Sequence, residues 1–285
     1  MTPAQRFAAA AAGRKDSGPN SRPGPLAFEK WEGLGNDFVL IELAAADLTP
    51  AQVTRLCDRR RGVGGDGVLH LEGVSADRPR MIVRNADGSR PEMCGNGLRC
   101  VAAYVSTRTG VDQVDVATDA GDRACTIEGG GNRFEVTVAM GAARRSEDLA
   151  VALGDRTHQF RVVDVGNPHA ITFEPYDEAT IDVVGPAVAT TPAGGINVEF
   201  CRVHEQDGLI EITVWERGVG RTLACGTGAC AVAVAACETG RASFGVPLRL
   251  RLPGGDLEVT VDEQDRSMIM KGPARRVFVG EAVIR

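Results

Sequence analysis

At 285 residues, with 43% hydrophobic and 25% charged residues, the chain has the make-up of a globular protein long enough for two lobes. A net charge of −6 and the lack of any basic cluster argue against nucleic acid as a partner. No apolar run reaches the roughly 18 residues that a membrane-spanning helix needs, so no membrane association is expected.

Residues 1–25 are rich in Ala, Gly, Pro, Ser and Arg without hydrophobic periodicity, and they read as a disordered leader. A transit peptide is the rival reading, but no amphipathic face supports it. From Ala27 onward short β-branched runs alternate with Gly, Asp and Asn. Strands are expected at Phe38–Glu42, Gly67–Leu71, Arg80–Arg84, Gln113–Ala117 and Phe134–Ala139, and helices at Pro50–Arg60 and Leu98–Arg108. Farther along, strands are expected at Gln159–Val165, Ala170–Phe173, Asn197–Val203, Ile210–Trp215, Leu248–Leu252 and Leu257–Val261, with a helix at Gly228–Thr239. The pattern is α+β with mainly antiparallel sheet.

The eight cysteines, Cys57, Cys94, Cys100, Cys125, Cys201, Cys225, Cys230 and Cys237, are dispersed, and none forms a Cys-x-x-Cys pair. Neither a disulfide scaffold nor a structural zinc site is expected, no metal is assigned, and a reducing, cytoplasmic compartment fits best. Most of these thiols read as small buried hydrophobes.

Two of them do not. Cys94-Gly95-Asn96-Gly97 recurs as Cys225-Gly226-Thr227-Gly228, a shift of 131 positions (225 minus 94). The same shift carries Gly35-Asn36 onto Gly166-Asn167, Gly64 onto Gly195 and Asn85 onto Glu216. An ungapped register of this kind implies two pseudo-symmetric lobes. We place them at 26–141 and 142–274, with a last strand at 275–285 that returns to the first lobe, and expect the active site in the cleft between them.

Each Cys-Gly-x-Gly opens an Ala/Val/Leu-rich helical run. The free N–H groups of a first helical turn bind anions, and the helix dipole favours thiolate over thiol at that end. Two such sulfurs suit racemisation, in which a base removes the α-proton from one face and an acid returns a proton to the other. Pyridoxal phosphate would need a Schiff-base lysine, and only Lys15, Lys30 and Lys271 exist, none in a phosphate-cradling context. A single Cys-Gly-x-Gly is weak evidence, since most cysteines are inert core residues; two in one register tip the balance. Asn36, Asn85, Asn167 and Asn197 also fit plain turns, His169 a buried histidine, and Glu216-Arg217 a surface ion pair.

The stretches Gly33-Leu34-Gly35-Asn36-Asp37-Phe38, Asn85-Ala86-Asp87-Gly88-Ser89, Met93-Cys94-Gly95-Asn96-Gly97, Gly166-Asn167-Pro168-His169, Glu216-Arg217-Gly218 and Ala224-Cys225-Gly226-Thr227-Gly228-Ala229-Cys230 resemble the diaminopimelate epimerases, in order, from about Phe28 to the C-terminus. Proline racemases and hydroxyproline epimerases typically carry Cys-Gly-His-Gly at the first site, where Asn96 stands here. The resemblance implies conversion of LL-diaminopimelate to the meso form in lysine and peptidoglycan precursor synthesis, no cofactor, a homodimer, and lobes built as a barrel-like sheet around a central helix.

Carried over, Cys94 and Cys225 are the acid/base thiols, supported by His169. Glu216 holds the reacting ammonium. Gly95, Asn96, Gly226 and Thr227 bind the reacting carboxylate, while Arg217, Asn36, Asn85, Asn167 and Asn197 read the distal end. Several positions depart from the family pattern. Trp31-Glu32 is more acidic than usual, Arg221 replaces an acid of many members, Gly67 replaces a polar side chain of some, and the leader has no counterpart. A cofactor-independent racemase of another amino acid and a non-enzymatic binding protein remain as alternatives.

Overall fold

The computed structural model describes residues 25–42, 48–74 and 78–283. The leader up to residue 24 lies outside them. The chain divides into two compact units. The first takes the described residues up to Asp122, Ile127–Phe134 and those from Ala274 on, and the second takes Arg123–Thr126 and Glu135–Pro273.

The first unit runs β1 (Leu26–Gly33), β2 (Asn36–Ile41), α1 (Pro50–Cys57), β3 (Gly67–Glu72), β4 (Arg80–Asn85), α2 (Gly95–Thr109) and β5 (Gln113–Thr118), followed by β6 (Gly121–Gly130) and β7 (Arg133–Ala142). Strands β1 and β2 pair antiparallel, β2 and β3 parallel, β3 and β4 antiparallel, and β4 and β5 parallel. A parallel neighbour requires a crossover, and each crossover here carries a helix, α1 or α2.

The second unit runs β8 (Arg144–Arg145), β9 (Leu149–Leu153), β10 (Arg156–Asp164), β11 (Pro168–Thr172), α3 (Glu178–Thr190), β12 (Asn197–Val203), β13 (Ile210–Glu216), β14 (Gly220–Thr222), α4 (Gly226–Glu238), β15 (Leu248–Leu252) and β16 (Gly255–Val261). Its pairings repeat the first unit: β10 and β11 antiparallel, β11 and β12 parallel, β12 and β13 antiparallel, β13 and β15 parallel. The last strand, β17 (Ser267–Ala282), pairs with β16 through Met268–Lys271 and with β1 from Arg275 onward. The fold is thus the α+β pseudo-repeat that the 131-residue register implies. Gly35 and Gly166, and likewise Gly64 and Gly195, hold φ between 72° and 104° at equivalent turns, where a Cβ would strain the backbone.

Helices α2 and α4 are the central helices of their units. Every residue of Gly95–Val105 and of Gly226–Cys237 is buried. A helix buried on all sides needs small or apolar side chains all round, which the Ala, Val, Cys and Gly of α4 supply. The peripheral α1 has a capping box: Thr49 Oγ1 accepts from the Gln52 N–H, Gln52 Oε1 accepts from the Thr49 N–H, and Pro50 follows.

Several elements escape a reading by propensity. Helix α3 contains Gly185-Pro186, a breaker signal, yet the proline frees only one carbonyl, on exposed Asp182, and Asp177 caps the first turn. Strand β1 carries Glu29 and Lys30, and both are buried because partners meet them. Glu29 accepts from Trp31 Nε1 and Arg108, and Lys30 pairs with Asp37 at 2.7 Å. Strand β17 runs through Gly272-Pro273 without a break.

Candidate active site

In the first unit Cys94 is the N-cap of α2. Its backbone is extended (φ −139°, ψ 110°), and its Sγ accepts the Gly97 N–H at 3.4 Å. A methyl added at Gly97 would come within 2.8 Å of Leu69 Cδ2, the end of a side chain that can shift. Buried Asn96 donates to Asn36 Oδ1 at 3.1 Å, and Asn36 donates to Asp66 Oδ2 at 2.7 Å. Asp66 also accepts the Asp37 N–H and an Arg59 N–H. Burial pushes Asp37 up, but Arg59 and Lys30 outweigh it and hold its carboxyl at about 2. Asn36 and Asn96 are therefore fixed in orientation by a chain of charged partners. Asn85, at the end of β4, donates to Ser89 Oγ at 2.9 Å.

The second unit repeats the cap. Cys225 is the N-cap of α4 (φ −130°, ψ 107°), and its Sγ accepts the Gly228 N–H at 3.3 Å and lies 3.4 Å from Thr227 Oγ1. Around this sulfur the side chains differ from those of the first unit. His169 and Glu199, both wholly buried, join through Nδ1 and Oε1 at 2.6 Å. His169 Nε2 meets Asn167 Oδ1 at 3.1 Å. His169, Glu199 and Cys225 each place one donor atom within a mutual span of 4.8 Å.

Glu216 Oε1 accepts from Thr222 Oγ1 at 2.6 Å. Arg217 donates its backbone N–H to Asn197 Oδ1 at 2.9 Å and its guanidinium to the Gly194 and Gly195 carbonyls. A Cβ at Gly195 would sit 2.5 Å from Arg217 Cδ, so the bare residue is what lets the arginine pass.

One expectation fails in the second unit. The helix start does supply the sulfur with an N–H, but the Cys225 thiol is pushed well above its ordinary value. Burial is the main cause, Glu216 and Glu199 add to it, and Thr227 and Gly228 offset only part. Arg221 bridges to Glu178 and Asp182 on α3. Gly67 lacks a side chain because a Cβ there would meet the Arg84 carbonyl at 2.6 Å.

Glu199 was not among the residues that the motifs single out. Its signal lay in the run Asn197-Val198-Glu199-Phe200-Cys201, where one acid sits two positions after Asn197 on the same face of an apolar strand.

The model of the family described as diaminopimelate epimerase matches the chain twice, over residues 28–146 and 161–277. Diaminopimelate epimerase of Synechocystis sp. is 40% identical, over 91% of this chain and 99% of its own. That of Desulforudis audaxviator is 42% identical, over 90% and 99%. Among solved structures, a predicted epimerase from Pseudomonas aeruginosa superposes with a TM-score of 0.67 at 17% identity, covering 91% of this chain and 100% of that one. A hydroxyproline epimerase from Agrobacterium vitis does so with a TM-score of 0.66 at 16% identity, covering 92% of each; both show the shared fold. The paired matches, the near-complete coverage and the identity near 40% place this chain in the diaminopimelate epimerase family.

Proposed function

We propose that the protein interconverts LL- and meso-diaminopimelate in lysine and peptidoglycan precursor synthesis, without a cofactor, by proton transfer between Cys94 and Cys225. The observation that carries the reading is the pair of sulfur-capped helix starts at the same register of the two units. In the mechanism one sulfur takes the α-proton as thiolate and the other, as thiol, returns a proton to the opposite face. Each sulfur then changes role when the reaction runs in reverse. Backbone N–H groups at Gly95, Asn96, Gly226 and Thr227 bind the reacting carboxylate, where negative charge builds up in the transition state. Glu216 binds the reacting ammonium, and His169 assists the Cys225 sulfur.

Arg217 reads the distal carboxylate, with Asn36, Asn85, Asn167 and Asn197 completing its surroundings. The guanidinium suits this task because it can grip a carboxylate through two parallel hydrogen bonds. The arrangement favours diaminopimelate over amino acids with neutral or basic side chains.

The reading includes a cytoplasmic homodimer. On β17, Val277, Phe278 and Val279 are each more than 40% exposed, an apolar run that a second copy could cover. The deciding experiment incubates the protein with LL-diaminopimelate, no cofactor added, and follows the meso isomer by chiral chromatography. Absence of both conversion and α-proton exchange in deuterated water would reject the activity.

A further inference from the structure

Under the 131-residue shift His169 falls on Phe38. Phe38 lies opposite Gly67 as His169 lies opposite Asn197, so the strand register puts Leu69 in the place of Glu199, and a methyl at the equivalent glycines Gly97 and Gly228 would meet these same two side chains. The first unit therefore has two apolar side chains where the second has a buried histidine–carboxylate pair, although the two cysteines cap their helices alike. Buried charge is costly, and a wholly buried carboxylate is retained where it has a partner to hold. Glu199 Oε1 holds His169 Nδ1, and its Oε2 has no hydrogen-bond partner among the described residues. The backbone makes room for this carboxylate: a methyl at Gly228 would stand 2.6 Å from Glu199 Oε1.

We propose that Glu199 is a positioning residue for Cys225, orienting His169 through Nδ1 so that the imidazole takes the proton of the Cys225 thiol and stands beside the thiolate as its counter-charge. The inference rests on the two-thiol reading above. The step balances within the chain. The S–H bond of Cys225 breaks, its proton adds to the free ring nitrogen of His169, and the sulfur keeps the electron pair. A carboxylate accepting at Nδ1 fixes the tautomer in which Nε2 is that free nitrogen. Once Nε2 is protonated, the Asn167 carbonyl oxygen at 3.1 Å accepts it, so both N–H groups of the imidazolium are satisfied. Before that, the same amide can serve turned over, offering N–H to the ring nitrogen. The titratable groups facing the Cys225 sulfur are Glu216 on β13, Glu199 on β12 and His169 on β11. Facing Glu199 are His169, Cys225 and, two residues on, Cys201.

If Glu199 served only as a nearby negative charge, removing it would ease thiolate formation at Cys225. If it positions His169, removal suppresses thiolate formation, and the two outcomes have opposite sign. The test uses the full chain, iodoacetamide across pH 6–10, roughly the range in which a thiol titrates, and peptide mass spectrometry. Cys94 in the same tube is the control. Glu199→Gln keeps the shape, and Glu199→Leu installs what the first unit carries.

In both variants Cys225 alkylation near neutral pH is expected to slow by about tenfold or more relative to Cys94. His169→Phe should give the same loss, and adding Glu199→Gln to it should give no further one, because the two act in one path. With LL-diaminopimelate, kcat should fall by about tenfold or more while KM changes little. Unchanged or faster Cys225 alkylation in Glu199→Gln, or losses that add in the double variant, would overturn the proposal. Failure of the wild-type protein to turn over any diaminopimelate isomer would instead refute the proposed activity, while the alkylation result would still judge Glu199.

Discussion

Gly97 and Gly228 occupy the same position of the two sulfur-capped helix starts, three residues past the cysteine, and each donates its N–H to that cysteine's sulfur. Alanine keeps the N–H, so Gly97→Ala and Gly228→Ala isolate the steric cost of one methyl. At Gly97 the methyl would lie 2.8 Å from Leu69 Cδ2 and 3.5 Å from Cys94 Sγ. The first neighbour is the end of a flexible side chain. Its adjustment is offset by the gain of up to about 1 kcal/mol that alanine brings to a helix.

At Gly228 the methyl would lie 2.6 Å from Glu199 Oε1 and 3.3 Å from Cys225 Sγ. That oxygen is held by His169 at 2.6 Å in a wholly buried setting, so relief means breaking the bond or shifting α4. Overpacking of this kind costs about 1–3 kcal/mol. We therefore expect Gly97→Ala to be near neutral and Gly228→Ala to lose about 1–3 kcal/mol. For a chain of this size that lowers the melting temperature by up to about 10 °C. Gly228→Ala should also lose at least about tenfold in kcat, since the displaced groups lie at the Cys225 sulfur. Thermal unfolding and initial rates on LL-diaminopimelate measure both. Equal stability and activity of the two variants would show that Glu199 yields freely and is not held in place.

The other expectations are quickly stated. Cys94→Ala and Cys225→Ala should each abolish net epimerisation, by at least about a hundredfold, with far less than additive loss in the double variant; rapid interconversion by either single variant would exclude an obligatory two-thiol mechanism. Arg217→Met should lower kcat/KM for diaminopimelate by about 2–5 kcal/mol in transition-state terms, because a substrate carboxylate is left without its partner; near-normal efficiency would remove Arg217 from the binding site. His70 on β3 is held down at about 4, first by burial and then by Arg84 and Arg90. Its neutral form is favoured in the fold, so stability is full above pH of about 6.5 and should fall by about 3 kcal/mol as pH drops toward 4. Urea unfolding of His70→Leu should show a shallower acid decline, and an identical decline would refute this role. Deleting Met1–Gly24, a stretch without a core-forming pattern, should leave turnover and melting temperature nearly unchanged.

Much of this was legible in the sequence, because what repeats in it is backbone geometry. Glycines needed for positive φ, and cysteines placed where a helix must start, survive as letters in a fixed register, and the two units repeat one strand order, with a one-residue slip between β3 and β12. What stayed hidden was set by tertiary contacts. Strand β1, not among the expected strands, carries two charges whose burial rests on Trp31, Arg108 and Asp37. Gly185-Pro186 and Gly272-Pro273 carry a turn signal, yet the carbonyl freed in α3 belongs to an exposed residue and β17 runs on past its proline. The helix dipole at Cys225 was foreseen, but burial opposes it, and so do Glu216, which the motifs name, and Glu199, which they do not.

The same distinction bears on the chemistry. A duplicated backbone gives two sulfurs the same cap and the same approach to a carboxylate, which is what a reaction on two faces of one carbon requires. It does not make the two faces chemically equal, because the two faces of the α-carbon are not equal either once Arg217 holds the distal end of the substrate as proposed. After duplication the side chains around each sulfur were free to diverge while the glycine positions were not. Phe38 and Leu69 in the first unit, against His169 and Glu199 in the second, are that divergence. Cys225 is enclosed with two acids that oppose its ionisation, so it needs a source of positive charge close by. His169, oriented by Glu199, is the group within its reach that can supply it.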